Sequence, residues 1–478
     1  MYIGLDLGTS GLKGLLIDAG QGIVAEAVAP LKVTRPHDGW SEQDPQSWIS
    51  AAESVFDGLA AQADLSAVAG IGLSGQMHGA TLLDAGDQVL RPCILWNDTR
   101  SHVEAGEMDA DPVWRAVTGN IVFPGFTAPK LAWIQRHEAD VFAQVAKVLL
   151  PKDYLRLWLT GEHVAEMSDA AGTAWLDTGA RDWSDDLLAR TGLSRGHMPR
   201  LVEGSEVSGR LRGSLANRWG MGAVPVAGGG GDNAASAIGV GVVKAGQAFV
   251  SLGTSGVLFA ANDGYQPDAA TAVHTFCHAL PGTWHQMGVI LAATDALNWY
   301  AGLVGTDAAT LTNSLGVLRA PGKTRFLPYL GGERTPLNDA AVRGAFIGLE
   351  HSTDRDAGTR AVLEGVTFAI RDCRDALAAT GTQITSLLAV GGGSKSDYWL
   401  RCIATALNTP VDLPVAGAFG GAFGAARLAA MAATGGGADL APAPQVARSI
   451  DPDPSLTQAF DEGHARYVAA QTAIRGLT

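Results

Sequence analysis

Two short apolar runs open the chain, at residues 2–7 and 12–17, and between them stand Gly8, Thr9, Ser10 and Gly11. Apolar strands joined across a glycine-permitted turn predict a β-hairpin. The arrangement returns at 249–260, where Leu252, Gly253, Thr254, Ser255 and Gly256 repeat the pentapeptide at 7–11 after 245 positions (252 minus 7). Following the first hairpin, a Gly20–Gly22 turn leads to a third strand at 23–29. Residues 44–60 then place Trp48, Ile49, Ala52, Val55, Phe56 and Leu59 on one face of a helix, with Asp44 as N-cap and Pro45 in the first turn. A strand at 68–73 completes a βββαβ order, which requires a mixed sheet with helical crossovers.

Patterning weakens over 101–222, which is expected to be an insertion subdomain offering an aromatic wall to a substrate. It sharpens where a strand at 224–227 runs into four glycines and an Ala-rich helix begins at Asp232. Lys244 precedes the second hairpin, so a domain boundary is placed at 243–247. Helices are expected at 291–303 and 360–379, a long loop near the cleft at 326–336, and a strand at 384–390 running into Gly391, Gly392, Gly393 and Ser394. That glycine-rich turn suits adenosine or ribose, although its spacing fails the dinucleotide fingerprint. Residues 419–433 are apolar and Ala-rich, but Arg427 interrupts them and they are short for a membrane span, so they read as a buried helix. A Gly/Pro-rich linker at 435–454 and a final helix carrying Leu456, Phe460, Gly463, Tyr467, Ala470 and Ile474 on one face close the chain. The expected domains are 1–244, 245–434 and 435–478.

Matching hairpins half a chain apart imply a duplicated domain. The fold class is therefore α/β, with two ribonuclease H-like (actin-like ATPase) domains flanking a catalytic cleft. Each turn exposes backbone N–H groups and hydroxyls at one point, which suits phosphate. Gly8, Thr9 and Ser10 on one side, with Gly253 and Thr254 on the other, would grip a nucleotide's β- and γ-phosphates. The copies differ at one position: Asp6 of the first aligns with Ser251 of the second. One carboxylate is enough to anchor Mg²⁺ through water. Two ordinary hairpins with Asp6 as a strand-end cap is the alternative. Asp232, at a helix N-terminus, is a candidate base kept ionised by the helix dipole, or simply an N-cap. His78 could be a ligand contact or structural, and Asn97, Asp98 and Arg100 either ligand contacts or a local turn with an ion pair.

Composition narrows the classes. The 478 residues, 47% of them hydrophobic, suffice for two or three cored domains. A formal charge of −14 argues against nucleic-acid and anionic-membrane partners. Phosphates must then be met by local backbone donors and a metal. The four cysteines are scattered without CxxC pairs, pointing to neither zinc nor disulfides. The chain opens directly into a strand, without a basic segment and apolar core, and a cytoplasmic location is expected.

The motifs together resemble the FGGY family of carbohydrate kinases over essentially the whole chain. The resemblance rests on residues 4–11, 74–79 (Ser-Gly-Gln-Met-His-Gly), 94–98, 126–130, 151–154, 229–233, 252–256 and 273–278. The Gln76-Met77-His78 loop resembles the branch that acts on D-xylulose; glycerol kinases would carry Arg-Glu there. One departure is Ala357-Gly358, where the family usually has an acidic or amide residue and then an aliphatic one; an effect on stability is expected. The resemblance implies ATP and Mg²⁺ between the hairpins, with adenosine near Gly392, Gly393 and Ser394. The sugar would be held by Met77, His78, Asp232 and Asn233. Asp232 would take the proton from the C5 hydroxyl, and Asp6 would organise Mg²⁺. A homodimer is also implied. Competing readings are a kinase for ribulose, rhamnulose or a polyol, an actin- or chaperone-like nucleotide switch, and a sugar-sensing pseudokinase. The last should have lost Asp6 or Asp232, and both are present.

Overall fold

The computed structural model describes residues 1–415 and 420–475. Two seven-stranded mixed sheets form its frame. In the first, the order is Val207–Arg210, Pro225–Ala227, Gly70–Gly75, Tyr2–Leu7, Gly11–Ile17 and Ile23–Pro30, with Gly230–Gly231 added beside Gly70–Gly75. Asp6 lies opposite Lys13 on its antiparallel neighbour and opposite Ser74 on its parallel one. The second sheet runs His274–Cys277, Trp284–Ile290, Gly256–Asn262, Gln247–Leu252, Ser386–Val390, Val411–Pro414 and Val446–Ile450. Here Ser251 occupies the place of Asp6, between Val257 and Val390. The duplicated pentapeptide thus sits at equivalent points of two equivalent sheets.

Helix Pro45–Ala60 forms as its pattern requires. Asp44 accepts from the Gln46 backbone N–H at 3.0 Å, and the six apolar residues of the predicted face are all buried. The Arg355–Ala379 helix begins earlier than its apolar pattern indicated, capped by Asp354. Ala357 and Gly358 therefore fall in its first turn. A Cβ at Gly358 would lie 2.0 Å from the Tyr300 hydroxyl, which donates to the Arg355 carbonyl.

Two elements differ from expectation. Residues 446–450 are not linker: Val446–Ile450 pairs antiparallel with Val411–Pro414 as the sheet's last strand. The predicted 419–433 helix is found as Gly421–Thr434, with Phe419 outside the described residues. It packs against the first sheet although it belongs to the second half of the chain. A Cβ on Gly4 would meet the Ala422 carbonyl oxygen at 1.9 Å, and one on Gly72 the Ala425 carbonyl oxygen at 1.9 Å, so backbone rests on backbone. Arg427, the interruption in that apolar run, donates to the carbonyls of Ile238 and Gly239 at 2.9 and 3.1 Å and to Gln21 Oε1 at 2.9 Å. Its charge is buried because these acceptors satisfy it.

The two halves are also joined at the edge of the second sheet. Asn120 Nδ2 donates to the Thr275 carbonyl at 2.9 Å, and Asn120 Oδ1 accepts from the Thr275 N–H at 3.0 Å. The final helix, Thr457–Ile474, buries Phe460, Gly463, Tyr467 and Ile474 of its predicted face. Its Tyr467 hydroxyl bonds that of Tyr329 at 2.7 Å.

Candidate active site

A cleft of about 700 Å³ opens between the halves, with Met77, His78, Asp232 and Asn233 on one side and Ser251 and Gly253 on the other. Asp232 is the first residue of helix Asp232–Gly239; Gly231 is the N-cap. Its Oδ1 accepts from the Asn233 N–H at 2.7 Å and from Asn233 Nδ2 at 2.9 Å. Asn233 thus orients the carboxylate. The dipole argument, which favours the ionised form, is outweighed: burial and then the neighbouring Asp6 charge raise the Asp232 pKa to about 6, against the two bonds from Asn233.

Asp6 is the penultimate residue of its strand, and Ser74 Oγ donates to its Oδ1 at 2.8 Å. Burial raises its pKa, while Ser74 and Lys13 oppose the shift. Two carboxylates in one site, the Asp6 charge raising the proton affinity of Asp232, suit a divalent metal ion.

Met77 packs at Gly231, where a Cβ would lie 2.9 Å from its Sδ, so the side chain depends on the second glycine pair of the run. His78 has a left-handed backbone (φ 69°). Its Nδ1 donates to the Gly172 carbonyl at 2.7 Å, which leaves Nε2 as an acceptor. Burial and the Lys130 charge push its pKa down to about 3. The His78 ring stacks on Phe126 at 4.8 Å, and the Lys130 ammonium holds the His78 carbonyl at 2.8 Å. Burial in turn brings Lys130 down to about 7.

The hairpin tips divide. The Gly8 N–H already donates to the Gly11 carbonyl at 2.9 Å. Thr9 Oγ1 donates to Gln76 Oε1 at 2.9 Å and accepts from Trp96 Nε1 at 3.0 Å, so its hydroxyl ties the hairpin to the Gln76–His78 loop. Ser10 and Thr254 are exposed. The Gly253 and Thr254 carbonyls accept from the start of helix Thr294–Leu303, which fixes that turn. Gly392, Gly393 and Ser394 follow Val390, the strand neighbour of Ser251, but lie outside the wall of this cleft. Asp98 belongs to an ion pair: its two oxygens take Arg100 at 2.7 and 2.9 Å, and the Arg100 guanidinium lies 3.5 Å above the Trp40 ring.

Sequence reasoning missed the support beneath Asp232. The Gly231 N–H donates to Ser168 Oγ at 3.0 Å, and Ser168 Oγ donates to Glu166 Oε1 at 2.9 Å. The buried Lys152 ammonium lies 3.4 Å from Glu166 and 2.9 Å from Asp169. Charged residues inside otherwise apolar stretches, at 152–153 and 166–169, were the available signal.

Residues 1–239 match the N-terminal domain of the FGGY family of carbohydrate kinases, and residues 248–433 match its C-terminal domain. The chain belongs to the FGGY family of carbohydrate kinases. It is 49% identical to a xylulose kinase of Escherichia coli (strain K12) over 91% of this chain and 90% of that protein. A crystal structure of a xyloylose kinase from Brucella ovis superposes with a TM-score of 0.99 at 63% identity, covering 100% of both chains. A xylulose kinase structure from Rhodospirillum rubrum gives 0.94 at 31% identity, over 100% of this chain and 99% of that one. As an FGGY kinase, the protein transfers phosphate from ATP to a sugar, and the actin-like two-domain fold is the one its motifs implied. No helix among the described residues is long and apolar enough to cross a membrane.

Proposed function

We propose that this FGGY kinase phosphorylates the C5 hydroxyl of D-xylulose, giving D-xylulose 5-phosphate and ADP, with Asp232 as general base. The observation that carries the reading is one cleft holding a carboxylate with a pKa near 6 beside a neutral, Nε2-accepting His78. A base tuned towards neutrality accepts the hydroxyl proton as the oxygen attacks. Similarity to xylulose kinases over nine-tenths of the chain supports the choice of ketose.

In this mechanism Met77 and His78 hold the sugar, and Asn233 keeps Asp232 aimed at the reacting hydroxyl. The O5–Pγ bond forms, the bond from Pγ to the β-phosphate oxygen breaks, and the proton passes to Asp232. Mg²⁺, held at Asp6, would supply charge neutralisation at the β- and γ-phosphates. Gly8, Thr9, Ser10, Gly253 and Thr254 are assigned to the phosphates, with Thr9 acting through its backbone because its hydroxyl is engaged. Gly392, Gly393 and Ser394 are assigned to the adenosine. In the proposed division residues 1–244 hold the sugar and 245–434 the nucleotide, while 435–478 complete the second sheet with Val446–Ile450 and dock the final helix on its core. A cytoplasmic homodimer completes the reading, the dimer resting on family resemblance.

The test is ADP release with ATP and Mg²⁺ against D-xylulose, D- and L-ribulose, L-rhamnulose, glycerol and no sugar. Strong preference for D-xylulose is expected. Preference for another ketose would replace the substrate and keep the mechanism. Sugar-independent hydrolysis without stimulation by any sugar would move the chain to the nucleotide-switch class.

A further inference from the structure

Arg334 stands on the long loop of the second half and reaches the wall of the cleft built by the first. Its backbone is fixed on both sides. Glu333 Oε1 accepts from the Leu291 and Arg334 N–H groups at 2.9 and 2.8 Å. Thr335 donates from N to the Val289 carbonyl and accepts at Oγ1 from the Val289 N–H, both at 3.0 Å. These bonds clamp the loop to strand Trp284–Ile290, so the side chain is projected from a rigid base.

The guanidinium lies 4.2 Å from the centre of the Phe123 ring, and its Nη1 donates to His274 Nε2 at 3.4 Å. Among the described residues it has no carboxylate in ion-pair contact; the adjacent Glu333 acts on it only through its field, with Oε1 committed to backbone. A half-buried guanidinium without an acid is unusual unless something else meets its donors. Of its five N–H groups one is used on His274, and the residue lines the cleft. Its charge also acts on His78, which places it at the sugar end of the cleft. There the first half offers two acceptors, the Asp232 carboxylate and His78 Nε2. A ketose brings a carbonyl that only accepts, and needs a donor.

We propose that Arg334 is a specificity-determining contact to the sugar, donating from the second half of the chain to acceptor oxygens of the ketose, so that sugar binding draws the two halves together. This rests on the reading of the cleft as a ketose site.

Steady-state kinetics of R334M and R334K with D-xylulose, together with small-angle scattering with and without the sugar, test it. For R334M the KM for D-xylulose should rise at least tenfold while the KM for ATP stays within twofold. R334K, a point donor without the planar fork, should fall between R334M and wild type. The contraction that D-xylulose induces in the wild-type protein should be lost in R334M, with thermal unfolding used to confirm that the variant is folded. A KM for D-xylulose within twofold of wild type, or a fall in kcat alone, would overturn the proposal; the latter would assign Arg334 to the transferring phosphoryl group. Wild-type turnover with an unchanged R334M sinks Arg334 alone, whereas a wild-type protein inactive on every ketose sinks the functional reading and this inference with it.

Discussion

The Asp6 carboxylate raises the proton affinity of Asp232, second only to burial in doing so. One comes from a strand and the other from the first turn of a helix, at sequence positions 226 apart (232 minus 6), and each is held by one small polar partner: Ser74 for Asp6, Asn233 for Asp232. The carboxylate assigned to the metal therefore also tunes the carboxylate assigned to the base.

This coupling predicts the acid limb of the rate profile. Without bound metal the Asp232 pKa is near 6; the base is lost as pH falls through that value. A cation at Asp6 cancels its repulsion, so the limb in kcat should move below pH 6 as Mg²⁺ saturates. Residual activity of Asp6→Asn should show a limb displaced the same way. A limb independent of both would disprove the coupling.

Asp232→Asn should separate stability from activity. The folded pKa, about 6, lies above the unfolded 3.8, so the fold binds this proton more tightly than the unfolded chain does. The stability this group contributes is present below about pH 4, declines as pH rises to about 6, and is lost above it. Removing the charge should then stabilise the ligand-free protein by roughly 3 kcal/mol at pH 7–8, and by almost nothing at pH 4. Denaturant unfolding at both pH values measures this. Turnover should fall by about 10²–10⁴-fold or more. Near-normal turnover would refute Asp232 as base.

Ser168→Ala removes the acceptor of the Gly231 N–H just before the catalytic helix. A loss of about 1–2 kcal/mol in stability is expected, with kcat reduced roughly tenfold while the KM for ATP holds. Ser168→Thr, which keeps the hydroxyl, should recover most of the kcat. If Thr rescues nothing while the protein stays folded, the hydrogen bond is not what positions Asp232.

Gly72→Ala should be among the most damaging changes outside the cleft. Its Cβ would stand 1.9 Å from the Ala425 carbonyl oxygen, against helix backbone that has no rotamer to change. Overpacking of this kind costs about 1–3 kcal/mol or more, readable as a lowered melting temperature. Unchanged melting would mean that the Gly421–Thr434 helix is not seated as described.

Much of the fold is local in origin and was readable as such. The hairpins follow from apolar alternation around Gly-Thr-Ser-Gly, and helix Pro45–Ala60 from six apolar residues on one face and an Asp-Pro start. The Val446–Ile450 strand was not readable. Its exposed, weakly apolar sequence pairs only because Val411–Pro414 offers an open edge. Helix Gly421–Thr434 was legible as a buried helix, but its seat beneath the other half's sheet was not, because glycines at 4 and 72 look like any others until a carbonyl is found above them.

By itself the sequence determined the duplicated hairpins, the asymmetry of Asp6 against Ser251, and which residues could carry chemistry, because those depend on residue type and short spacing. Only the tertiary structure decided how they act. It buried Asp232 beside Asp6 and reversed the sign of its pKa shift, committed the Thr9 hydroxyl to Gln76 and Trp96, and delivered Arg334 across the cleft to Phe123 and His274. Each of these depends on what a side chain meets after folding, and contacts between residues far apart in the chain leave no periodic mark in it.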